Sequence, residues 1–261
     1  MLVLAVHGSA VPAAAATIRR LVHRLTETTG VRPAVGHLDV QRPSLGEVLA
    51  EHPGAVVVPL LLGDGYHRRV DVPAVARAYD CTVTAGLSGE PDVALAVHAR
   101  LREAETPLGA WADAIVVAGA GSSRPGGNDG TLTVAEQLRD LRDVPVVPAY
   151  CSAAEPTVPE AVAGLRAEGH RRIAVAAHLL APGRFTLALA EGVTDGGAWT
   201  VSAPIADHPR IARLVADRYT AEWALRVGRG RPAEGETDAG GSTGEGGGAG
   251  SARLLRRVRD V

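Results

Sequence analysis

Not one lysine occurs in the 261 residues, so every cationic side chain among the 27 is arginine. A P-loop needs its lysine on the terminal phosphates, and no GxGxxG follows a strand-like run, so no nucleotide cofactor is expected. Aromatic residues make up 3% of the chain, with a single phenylalanine, so aliphatic side chains must fill any core. The hydrophobic fraction of 46% supplies enough of them. The two cysteines, Cys81 and Cys151, form no CxxC pair. That excludes a zinc ribbon or a disulfide framework and suits a reducing compartment. The net charge of -2 provides no basic footprint for nucleic acid. No apolar run approaches the roughly 18 residues of a membrane span. No basic segment leads into an apolar stretch with a cleavage site, so no signal peptide is expected. The expectation is a soluble cytoplasmic protein with neither nucleic acid nor membrane as partner.

What is present is a repeated unit. "VVAGAGSSRP" (116–125) lies over "LAVHGSAVP" (4–12) at an offset of 113, which sets Gly121-Ser122 on Gly8-Ser9 and Pro156 on Pro43. Further along the offset becomes 118. "AVAAHLLAPGRFTL" (174–187) then meets "VVVPLLLGDGYHRRV" (56–70), and "APIADHPRIARLVADRY" (203–219) meets "AGLSGEPDVALAVHARL" (85–101). The difference is absorbed by "LRAEGHRR" in the second half. Four matches in order point to an internal duplication.

Each unit alternates strand and helix. In the first, strands are predicted at 2–6, 34–39, 55–62 and 81–86, and helices at 12–29, 44–51, 70–79 and 91–104. Ser44 with Glu47 forms a capping box, and "AVVVPLLL" is the continuous apolar run of a strand covered on both faces. The second unit repeats this from 113 to about 227. The predicted fold is α/β, with two tandem doubly wound parallel-sheet domains at 1–108 and 109–227. Residues 228–251 are glycine-rich and almost without apolar side chains, so 228–261 is predicted to be a disordered tail, with the closing "ARLLRRVRDV" at most a short basic helix.

In open parallel sheets, ligands bind beyond the carboxyl ends of the strands. His7, Asp39 and His67 follow three successive strands of the first half. A lone histidine there is more often a packing residue than a ligand. Two histidines and a carboxylate on one rim fit a site for Fe, Co, Ni or Zn. Ser9 is not in a GxSxG elbow and is expected to cap the helix that follows. A phosphohistidine mechanism would favour an arginine where Val6 stands. His23, His52, His98 and His170 read as surface or packing residues. His37, on the face of Asp39 by alternation, is a minor candidate.

These motifs together resemble the CbiX/SirB family of class II chelatases. The resemblance rests on His7-Gly8-Ser9, on Asp39 before Pro43-Ser44-Leu45, and on Val57-Val58-Pro59-Leu60 leading to His67 and Asp71-Val72-Pro73. It covers residues 1–105 well, and 113–227 as a degraded copy, as in the long duplicated form of the family. Ala120 stands where His7 does, Ser152 opposite Asp39, and Phe185 opposite His67, so the chemistry is expected in the first half. His178 falls opposite Leu60, inside the strand, and is not taken as a replacement.

The resemblance implies insertion of a divalent metal, Fe2+ in preference to Co2+, into sirohydrochlorin without ATP, in siroheme or cobalamin biosynthesis. His7 and His67 would hold the metal and offer a base. Asp39 would be a ligand, a proton acceptor or a partner that fixes a histidine tautomer; the family often has Glu here. Ser9, Arg68 and Arg69 would contact the tetrapyrrole, with Arg124 and Arg184 of the second half as further candidates. A carrier that binds metal or tetrapyrrole without turnover is the competing reading, and a generic enzyme using His7 as acid or base is a third. If the halves pack against each other, one chain supplies a two-walled cleft, and a monomer is the expectation.

Overall fold

The computed structural model describes residues 1–63, 71–194 and 197–229, with backbone alone for 192–194 and 227–229. The first half runs β1 (Leu2–Val6), α1 (Pro12–Thr29), β2 (Ala34–His37), α2 (Leu45–Glu51), β3 (Val56–Pro59), α3 (Val72–Arg77), β4 (Thr82–Val83) and α4 (Pro91–Glu105). After a 3₁₀ turn at Thr106–Leu108, the second runs β5 (Ala114–Gly119), α5 (Asp129–Leu141), β6 (Val146–Tyr150), α6 (Val158–Ala167), β7 (Ile173–Ala177), α7 (Arg184–Thr194), β8 (Thr200–Val201) and α8 (Pro209–Arg229). The strands form two parallel four-stranded sheets, ordered β2-β1-β3-β4 and β6-β5-β7-β8. The predicted α/β class and the two related parallel sheets are therefore what the chain forms.

The strand period of two explains the layering. Along β1, Leu2, Leu4 and Val6 belong to one apolar cluster and Val3 and Ala5 to another. The first cluster also holds Ile115 and Val117 of β5, Ala174 and Ala176 of β7, and the apolar faces of α4 and α8. It is a single core shared by both halves. The outer face of the first sheet packs on α2 and α3, and that of the second on α6 and α7. Each sheet is buried on both sides, which is why its strands read as unbroken apolar runs.

The last helices cross over. α4 packs against α5 and β7 of the second half, and α8 packs against α1 and β3 of the first. Ion pairs accompany the exchange: Asp207 meets both Arg20 and Arg100 at 2.6 Å, and Arg210 meets Asp92 at 2.8 Å. The apolar faces of the helices, not these partly hydrated pairs, hold the halves together.

The duplication extends to local detail. Ser44–Glu47 at α2 and Thr157–Glu160 at α6 are both complete capping boxes. Val40 and Ala153 both take positive φ, at 64° and 55°. Gly8 and Gly121 do so at 97° and 89°.

Several predicted boundaries shift. β2 ends at His37; Leu38 N–H and Asp39 N–H still donate to Val6 O and His7 O, and Val40 then turns the chain at positive φ. β3 ends at Pro59; Leu60 still donates to Ala5 O, and the chain then leaves the sheet. β4 shrinks to two residues, and α3 is confined to Val72–Arg77. α8 continues to Arg229, two residues into the predicted tail; the remainder of that tail lies outside the described residues.

Candidate functional site

Both sheets open their carboxyl ends onto one cleft of about 1980 Å3. That exceeds the roughly 300–1,000 Å3 of a usual small-molecule pocket, so the space suits a large ligand. Its walls come from both halves: residues 6–11, 39–42 and 60–63 of the first, and 120–124 and 178–188 of the second. In both sheets the strand order reverses direction around the first strand, so the switch points lie between β1 and β3 and between β5 and β7.

His7 follows β1 directly, is exposed, and lines the cleft. Asp39 is beside it: Asp39 N–H donates to His7 O at 3.0 Å, so the β1 and β2 ends stay paired past their last ladder residues. The Asp39 side chain is exposed, with Oδ1 accepting from Val40 N–H at 2.7 Å. Gly8 makes this approach feasible. A Cβ there would stand 2.3 Å from Asp39 O, and its φ of +97° disfavours any L side chain. The structure thus brings His7 and Asp39 to one rim. His67, Arg68 and Arg69 lie outside the described residues. Among the described residues, no group of three or more His, Cys, Asp or Glu side chains is placed to hold a metal ion.

Ser9 does not cap α1, contrary to expectation. The N-cap is Val11, without a side-chain hydrogen bond, and Pro12 opens the helix, where a missing N–H costs nothing. Ser9 Oγ instead donates to Pro182 O at 3.1 Å and accepts from Val11 N–H, while Ser9 N–H donates to Gln41 Oε1. It therefore ties the first wall to the second. His37 lines the cleft, but its Nδ1 is paired with Pro43 O at 3.0 Å. His23 is exposed beside Glu27 and also borders the cleft, whereas His170 sits near Asp113, away from the cleft lining. Arg124 and Arg184 line the cleft, and the Arg184 guanidinium lies 5.0 Å from the centre of the Phe185 ring.

The second wall is chemically plainer. Ala120, the counterpart of His7, only accepts from the hydroxyl of Ser152, the counterpart of Asp39. One polar group there was missed. His178 lies just beyond β7, is 3% exposed and lines the cleft. Its Nδ1 pairs with Thr131 Oγ1 at 3.1 Å. Burial pushes its pKa down to about 4, so it is neutral. The available signal was its position, one residue past a strand at the second sheet's switch point.

Two four-stranded parallel sheets sharing a core and lining one cleft define a duplicated α/β protein. The chain belongs to the CbiX family, whose model matches residues 1–104 and again residues 114–222. SirB from Bacillus subtilis, solved with Fe3+, superimposes over 87% of this chain and 97% of its own, with a TM-score of 0.70 and 21% identity. SirB from Bacillus subtilis subspecies spizizenii, in complex with cobalt, does so over the same shares at 0.68 and 19%. CbiX, described as the terminal enzyme for siroheme biosynthesis in denitrifying bacteria, covers 84% and 98% at 0.65 and 16%. At these identities the likeness establishes the fold. No curated protein sequence matches the chain.

Proposed function

We propose that the protein is a sirohydrochlorin chelatase that inserts a divalent metal, Fe2+ in preference to Co2+, without ATP. The carrying observation is His7, exposed at the end of β1 beside Asp39, on the rim of a cleft walled by both halves. Family membership and fold relatives solved with Fe3+ and with cobalt support the same reading.

The chemistry follows from the task. Insertion must exchange the water around the ion for ring nitrogens and remove two pyrrole protons. An exposed imidazole is a suitable transient ligand, because it binds Fe2+ and Co2+ yet carries no charge to be neutralised when the ion leaves. With an ordinary pKa near 6.5, imidazole also accepts a proton around neutral pH. His7 and His67 take these roles, and Asp39 orients an imidazole or receives a proton. Ser9, Arg68 and Arg69 contact the tetrapyrrole, and guanidinium groups suit its carboxylates. A monomer suffices for this chemistry, since one chain supplies both walls; we place it in the cytoplasm, in siroheme or cobalamin synthesis. A carrier function without turnover is the second reading, favoured by the exposure of the site.

The test is to mix the protein with sirohydrochlorin and either Fe2+ or Co2+ and follow the absorption of the tetrapyrrole. Insertion above the protein-free rate, lost in a His7→Ala/His67→Ala variant, is expected. Undiminished insertion by that variant removes the site assignment. Tight binding without insertion supports the carrier.

A further inference from the structure

Large apolar side chains that stand exposed are few among the described residues, and two of them line the cleft, one on each wall. Val40 of the first half is 60% exposed, and Leu187 of the second is 53% exposed. Neither is part of the three apolar clusters that hold the fold.

Val40 is held at the rim against its conformational preference. Its φ of 64° lies in the left-handed region, where a β-branched side chain is disfavoured and glycine or asparagine is not. Gln41 N–H donates to Asp39 O at 2.7 Å, which closes a three-residue γ-turn of the rare, strained kind around Val40. The turn is fastened on both sides: Asp39 N–H donates to His7 O, and Gln41 Oε1 accepts from Ser9 N–H. The second half keeps a left-handed residue here, Ala153 at 55°, so the bend belongs to the duplicated frame. What distinguishes the half that carries His7 is the larger apolar side chain at the apex. An exposed valine gains little from burial in the free protein, so the strain is offset only when something covers it.

Leu187 reaches the cleft by helical spacing. Arg184, Leu187, Ala188 and Glu191 of α7 all line it, the i, i+3, i+4, i+7 stripe of one helix face. Leu189 lies off that stripe and is buried in the outer cluster of the second sheet. A helix face turned away from the core is ordinarily polar; the middle of this one is an exposed leucine beside an alanine.

A ligand that meets exposed aliphatic side chains from both walls has apolar surface on both of its faces. Arg124 and Arg184 in the same lining suit acidic groups at its edge. A flat macrocycle fringed with carboxylates meets both conditions. Building on the chelatase reading, we propose that Val40 and Leu187 are substrate-binding residues that cover the two faces of the tetrapyrrole, Val40 on the side of His7. The arginines select the charged edge, and the aliphatic pair selects the uncharged ring plane.

The test measures affinity for metal-free sirohydrochlorin by the change in tetrapyrrole absorption, with melting temperature in parallel. Val40→Asn, which is at ease in the left-handed region but polar, should weaken binding about fivefold and melt no lower than the parent. Leu187→Gln, matched in helix propensity, should also weaken binding about fivefold with an unchanged melting temperature. The double variant should lose about 25-fold, since the two side chains lie on separate walls. These losses should persist at high salt, which screens arginine–carboxylate attraction but not apolar contact. Val40→Ile and Leu187→Met should bind like the parent. Leu225→Gln is the control: it alters a leucine on α8 that is 54% exposed but outside the cleft lining, and should leave affinity unchanged. Parent-like affinity in both Val40→Asn and Leu187→Gln overturns the assignment, and loss confined to one of them overturns the paired arrangement. A melting temperature that falls in step with affinity also overturns it, since the side chain would then serve the fold. Failure of the parent protein to bind sirohydrochlorin overturns the chelatase reading together with this one, whereas binding indifferent to both side chains overturns this one alone.

Discussion

Replacing Gly8 by alanine places a methyl group at the most crowded point of the rim. The new Cβ would stand 2.3 Å from Asp39 O, whereas real contacts of this kind begin near 3.0 Å, and φ is +97°. Holding an L residue there costs about 1–2 kcal/mol. Relieving the overlap moves the Asp39 carbonyl by several tenths of an ångström and strains the bond from Asp39 N–H to His7 O, worth about 1 kcal/mol. The combined loss is about 3 kcal/mol, a large share of the roughly 5–15 kcal/mol of a typical fold. Because the same movement shifts His7 against Asp39, metal insertion should fall by about one to two orders of magnitude. Gly121→Ala is the internal control. Its Cβ would stand 1.7 Å from Ser152 O, so it should destabilise at least as much, but it lies where Ala120 and Ser152 offer neither imidazole nor carboxylate. Equilibrium urea unfolding and initial rates read the two effects separately. A loss below about 1 kcal/mol for Gly8→Ala with an unaltered rate would refute this reasoning.

Glu105 is fully buried, meets Arg142 through both carboxylate oxygens at 2.9 Å, and accepts from Ala112 N–H. Glu105→Ala strands a mostly buried guanidinium where the two halves join, and denaturant unfolding should show a loss of about 3–5 kcal/mol. His178, with a pKa lowered from 6.5 to about 4 by burial, takes up its proton later in the folded than in the unfolded state as pH falls. Its contribution to stability is complete above pH 6.5 and is lost as pH drops toward 4, by about 3 kcal/mol at about 1.4 kcal/mol per pH unit. The unfolding free energy of His178→Leu should therefore vary less over that window. Below it, Glu47 and Glu160 act in the same direction: the Ser44 and Thr157 N–H bonds hold their pKa values below 4.5, so their stabilisation disappears as pH falls through those lowered values.

Much of this architecture was legible in the residues. The apolar runs at 2–6 and 56–59 became strands because parallel sheets are buried on both faces. The Ser44–Glu47 spacing became a cap because the serine hydroxyl and glutamate carboxylate satisfy donors that every helix start leaves open. The offset of the two halves anticipated paired features down to the positive φ of Gly8 and Gly121. Strand ends were less legible. The turn at Val40 depends on which carbonyls Leu38 and Asp39 meet, and that is a tertiary fact. The exchange of α4 and α8 was not readable at all, since an amphipathic pattern states that a helix has an apolar face but not whose sheet it covers. Ser9 was misassigned because a serine before a helix fits a cap as well as it fits a bridge to Pro182. His178 was set aside because alignment with Leu60 placed it within a strand, whereas β7 ends at Ala177 and leaves His178 one residue beyond it.

The most direct measurement counts metallated product per chain. Protein at low micromolar concentration is given a large excess of metal-free sirohydrochlorin and Fe2+ under anaerobic conditions, and the product is quantified against a protein-free control. A chelatase with His7 at its rim yields many metallated rings per chain, and His7→Ala yields no more than the control. Product that stops at one ring per chain, or that matches the control with the unaltered protein, contradicts the proposed activity.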